Sequence, residues 1–135
     1  MKAVLSTLLV FSHLFLFSEN CAEKSFYGKY YECYVGKTLI VKDIPKKYRN
    51  SGYSGFYNNP IIHLTLKNDV YKKNSYNRRS NYKSLVGKKF YVEKVLRGNH
   101  FVSCILVLKD SDNNIVYYDY YARYEETFPF WIVHT

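Results

Sequence analysis

Six tyrosines, Tyr48, Tyr53, Tyr57, Tyr71, Tyr76 and Tyr82, recur every four to six residues within two polar stretches, residues 46–60 and 67–83. Lys72, Lys73, Arg78, Arg79 and Lys83 are interleaved with them. A tyrosine ring offers a large contact area at small entropic cost and carries a hydroxyl. Rings set among cations can stack on sugars or bases while the cations hold sulfate or phosphate. The formal charge of the chain is +9, and it is unevenly spread. Residues 67–89 hold eight bases (Lys67, Lys72, Lys73, Arg78, Arg79, Lys83, Lys88 and Lys89) against one acid, Asp69, whereas residues 110–126 hold five acids against Arg123. One face is therefore expected to be basic and another weakly acidic. The chemistry this indicates is binding of an anionic glycan, a surface polymer or a protein partner. Two other readings fit the composition: a structural component of the cell envelope or extracellular space whose charges only keep it dissolved, and a secreted inhibitor offering a tyrosine-rich loop to another protein's cleft.

Catalysis finds less support. His63 falls on the outward side of an alternating segment, His100 in a turn and His134 beside the C-terminus, none at metal-ligand spacing from another His or Cys. Cys104 lies in an apolar run, and four extended residues separate it from His100, too far for a nucleophile pair. There is no Gly-rich phosphate loop and no Gly-x-Ser-x-Gly elbow. The expectation is a non-enzyme with no cofactor and no metal.

The chain opens with Lys2, an uncharged apolar run over residues 3–17, and then Glu19 and Asn20. This order describes a secretory signal peptide over residues 1–22, since the run is short for a membrane span of about 20 residues. Three processing points stay open: after Ser18, after Ala22, or before Cys21 with lipid attached to that cysteine. Export makes intracellular nucleic acid a poor target. It also places the thiols in an oxidising compartment. With Cys21 removed or lipidated, Cys33 and Cys104 are left to form a bridge, worth about 3–5 kcal/mol in the chain-entropy model. The alternative is a pair of buried thiols.

The elements that must position these residues read as strands. Residues 86–110 form the most apolar stretch after the leader, a strand, a turn at Arg97-Gly98-Asn99-His100 and a second strand apolar on both faces. Val35-Gly36-Lys37-Thr38-Leu39-Ile40-Val41 matches Val86-Gly87-Lys88-Lys89-Phe90-Tyr91-Val92, which suggests two related hairpin units, the first lengthened by the loop at residues 48–60. Further strands are expected at residues 25–35, 37–44, 61–66, 115–122 and 128–134, with Pro129 marking an edge. Residues 23–135 thus read as a single all-β domain, a small antiparallel barrel or two-sheet sandwich of about seven strands.

Overall fold

A computed structural model of the protein describes residues 20–60 and 69–134. The expected strand at residues 61–66 and most of the leader lie outside the described residues. Among the described residues there are six strands: β1 (Thr38–Val41), β2 (Phe56–Tyr57), β3 (Lys89–Arg97), β4 (Cys104–Lys109), β5 (Ile115–Tyr120) and β6 (Phe130–Val133). They form one antiparallel sheet in the order β2-β5-β4-β3-β1-β6. The sheet curls into a half-barrel, bringing Phe56 of one edge strand to a ring-centroid distance of 5.5 Å from Phe130 of the other. The all-β class holds, and the strands described make one curled sheet where a seven-stranded barrel or a two-sheet sandwich was expected.

The curl follows from the side-chain pattern. Phe90 and Val92 of β3, Leu106 and Leu108 of β4, and Val116, Tyr118 and Tyr120 of β5 alternate inward and are buried. A bulge between Val92 and Lys94 re-aims the far end of β3, so that Val95 faces the same core and pairs with Leu106. All of β4 from Cys104 to Leu108 is buried, as its two-sided apolar run requires. Its turn is longer than the sequence suggests. Asn99 Oδ1 accepts the N–H groups of Phe101 and Val102 at 2.8 and 2.9 Å, and Phe101 stands clear of the sheet.

The internal repeat has a structural counterpart. Leu39 of β1 and Phe90 of β3, equivalent in the repeat, are direct cross-strand partners, both buried. The Gly36 N–H donates to the Val92 carbonyl at 2.8 Å, and Gly87 N–H donates to the Val41 carbonyl at 3.0 Å. Likewise Val92 N–H donates to the Lys37 carbonyl and Val41 N–H to the Lys88 carbonyl, each at 2.9 Å. Both glycines take left-handed φ, +84° and +72°, which lets the chain turn from a helical turn into a strand. The preceding turns also match: a 3-10 turn at Tyr31–Tyr34 and a single α-helical turn, α1, at Tyr82–Leu85. Each buries its last residue, Tyr34 or Leu85, and the first turn also buries Cys33. The two hairpin beginnings are thus related by a local two-fold axis between β1 and β3.

Residues 25–35 do not form the expected strand. They cross an end of the half-barrel as a cap, ending in the 3-10 turn. Phe26, Tyr31 and Tyr34 pack there against Tyr120 or Phe128, and Tyr27 packs edge-on against Tyr34. A chain of polar contacts fixes the cap: the Tyr120 hydroxyl donates to the Gly28 carbonyl at 2.8 Å and lies 3.1 Å from the Tyr34 hydroxyl, which accepts the Tyr27 N–H at 2.9 Å. The expected Cys33–Cys104 bridge is replaced by Cys21–Cys33, with Cα atoms 5.2 Å apart, and Cys104 is a buried free thiol. The reason is the cap itself, which folds the chain back on its own start and turns Cys33 toward Cys21. A loop this short gains about 3 kcal/mol in the chain-entropy model. Burial pushes the Cys104 thiol up to about 12, so it stays protonated. Among the described residues, no helix is long and apolar enough to cross a membrane.

Candidate functional site

The two tyrosine-rich loops meet. Pro45 opens a 3-10 turn at Lys46–Tyr48, and the chain returns through Ser51 to Tyr53. The Tyr53 N–H donates to the Ser80 carbonyl at 3.0 Å, and Ser80 N–H returns a bond to the Tyr53 carbonyl at 2.8 Å. Asn74, buried, accepts the N–H groups of Tyr76 and Asn77 on its Oδ1, and the Asn77 side-chain amide donates to the Ser51 carbonyl at 3.3 Å. Asn81 caps α1, its Oδ1 accepting the Ser84 N–H at 3.3 Å. These bonds hold loop to loop without strand pairing of any length, which is why no periodicity announces them.

Between the loops lies a cleft of about 560 Å³ lined by Lys46, Arg49, Asn50, Asn74, Tyr76, Asn81, Tyr82 and Lys83. Arg49 sits at its wall. Its Nη2 lies 3.2 Å from Asp43 Oδ2, its Nε donates to the Ile44 carbonyl at 3.3 Å, and its guanidinium lies 5.1 Å from the centre of the Tyr82 ring. The Tyr82 hydroxyl donates to Asp43 Oδ1 at 2.6 Å. That bond is the main influence holding the Asp43 carboxyl below its ordinary value, and it pushes Tyr82 up in turn. The Tyr82 ring stacks on Tyr53 at 6.1 Å with planes 12° apart. Tyr53, pushed up to about 12 chiefly by burial, donates its hydroxyl to the Lys42 carbonyl at 2.6 Å. Asp43 therefore orients Arg49 and Tyr82 while Lys46 and Lys83 carry no ion pair among the described contacts. The arrangement offers three cations, two aromatic rings and side-chain amides around one open space, which suits an anion attached to a body with hydroxyl groups.

Of the residues singled out from the sequence, the cleft gathers Tyr76, Tyr82 and Lys83. Tyr76 is 83% exposed. Tyr48 is exposed nearby, with the Lys47 ammonium 4.9 Å from its ring centre. Lys73, Arg78 and Arg79 are exposed on the same loop without lining the cleft. Tyr53 and Tyr71 are core residues, and Tyr57 is half-buried against β5. Tyr71 donates its hydroxyl to Asp110 at 3.0 Å, and that carboxylate also accepts the N–H groups of Asp112 and Asn114 and so pins the β4–β5 turn. Lys72 and Lys88 flank the Tyr71 ring at 5.8 and 5.2 Å. Lys46, Arg49, Asn50, Asn74 and Asn81 were not singled out individually. Lys46 and Arg49 fall in the loop already marked by its tyrosines, and the Pro45 that precedes them was the available sign of a turn. Compared with known proteins, the chain matches no family model, no curated protein and no solved structure.

Proposed function

We propose that the protein is an exported binding module that holds an anionic glycan in the cleft between its two tyrosine-rich loops. The observation that carries this reading is the convergence of Lys46, Arg49 and Lys83 with Tyr76 and Tyr82 on one space. Export is supported by the apolar leader and by the Cys21–Cys33 bond, which belongs to an oxidising compartment. Because that bond uses the Cys21 sulfur, we place processing after Ser18, with Cys21 unlipidated and inside the mature domain.

The test is a salt titration of binding to heparin, a sulfated glycan. Exposed ion pairs contribute about 0.5–1 kcal/mol each and are screened as the Debye length falls to about 3 Å at 1 M salt. Replacing Lys46, Arg49 and Lys83 together with alanine is expected to weaken binding roughly 10- to 100-fold at low salt, while Lys72→Ala with Lys73→Ala, outside the cleft, has a smaller effect. Equal losses from both sets would leave only diffuse attraction to a basic surface.

A further inference from the structure

Asp43, outside the cleft itself, holds Arg49 and Tyr82 in its wall. The preceding residue, Lys42, extends outward from the end of β1, and its ammonium lies 4.3 Å from the ring centre of Trp131 on β6. Trp131 is the one tryptophan of the chain, is 58% exposed, and stands on the edge strand of the sheet. Edge strands are ordinarily blunted by charge or proline, and here the ammonium of Lys42 lies over the exposed ring. Lys42 is tied to the cleft wall: its carbonyl accepts the Tyr53 hydroxyl, and Tyr53 stacks on Tyr82. Two cation–ring pairs, Arg49 with Tyr82 and Lys42 with Trp131, are thus linked through Tyr53.

We propose that Lys42 and Trp131 form a second subsite, so that the ligand is a linear sulfated or carboxylated polysaccharide spanning both and not a single anion. This rests on the binding-module reading of the cleft. A sugar ring presents apolar C–H groups to an aromatic face, and the acidic group on it reaches the adjacent ammonium. Repetition of that pair along a chain matches repetition of the ligand's own units, and two modest sites on one ligand act together through effective concentration. A polyanion without sugar rings would use the cations alone.

The test uses heparin oligosaccharides of defined length, with binding of every variant measured by isothermal titration calorimetry and tryptophan emission added as a local readout wherever Trp131 is kept. Long oligosaccharides are expected to shift the emission and to bind more tightly than a disaccharide. Trp131→Ala, and independently Lys42→Ala, should each weaken the long ligand roughly fivefold to tenfold and leave the disaccharide unchanged. Far-ultraviolet circular dichroism of both variants checks that they fold. If long and short ligands bind alike, or if neither variant affects the long one while loss of Lys46, Arg49 and Lys83 still does, the second subsite is wrong and the cleft stands. Inorganic polyphosphate binding as tightly as the saccharide would also overturn it. If no oligosaccharide binds the unaltered protein, the cleft reading falls with it.

Discussion

Asp119 lies on the outward side of β5, beside Tyr57 and Tyr121, and none of the described ion pairs includes it. Burial alone pushes its carboxyl up to about 6 from an ordinary 3.8. A raised acid stabilises the fold while it is protonated in both states, and that contribution is lost as pH rises through the folded value. Asp119 is thus a liability at neutral pH. Asp119→Asn is expected to stabilise the protein by about 1–3 kcal/mol at pH 7, after allowing for partial solvent exposure, and by little at pH 4. Urea denaturation at the two pH values measures this, and an equal effect at both would show that the carboxyl titrates normally. Asp43 is the contrary case. Its carboxyl is held below its ordinary value chiefly by the Tyr82 hydroxyl, and it pairs with Arg49. At this scale the sequence is a partial guide. A tyrosine among lysines looks the same whether it is Tyr76, 83% exposed, or Tyr71, buried against Phe90, because loops lack the period that separates inside from outside.

Among the elements, the Val-Gly-Lys motif is the most informative stretch. It occurs twice, and both times it follows a helical turn, places a glycine at positive φ and starts a strand that pairs with the other copy. A Cβ at Gly87 would meet no atom within 4 Å, so alanine there tests backbone conformation without a clash. Gly36→Ala and Gly87→Ala are each expected to cost about 1–2 kcal/mol, in line with a left-handed L-residue. Thermal denaturation of the two variants should give similar losses, and a near-zero loss at either would break the proposed equivalence. The strands β1, β3, β4, β5 and β6 could be read from alternation and turn residues. β2 could not, because two residues carry no period. Residues 25–35 were misjudged for a physical reason. Their aromatic content reports burial, and burial here is achieved by a cap crossing the barrel end. The two halves then diverge in use: the turn at Tyr31–Tyr34 is covered by a disulfide-tied cap, and the equivalent α1 borders the open cleft.

Over the whole molecule, a small curled sheet has little interior beyond its aromatic core, so the proposed ligand has only the loops and the outer wall to bind. Phe56, Phe90, Tyr118 and Phe130 fill the space between the edge strands. Lys46, Arg49 and Lys83 stand on those loops, and the whole-chain formal charge of +9 would speed encounter with the polyanion proposed here. A second recess, of about 330 Å³, lies under the β3–β4 turn with Phe101, Tyr121, Arg123 and Tyr124, and it gives the account a competitor elsewhere on the surface. The most direct measurement is a two-dimensional amide NMR titration of the mature protein with a sulfated oligosaccharide. The cleft account predicts that the largest shifts fall on residues 46–50 and 74–83. Shifts concentrated at residues 99–103 and 121–124, or no localised shifts at all, would contradict it.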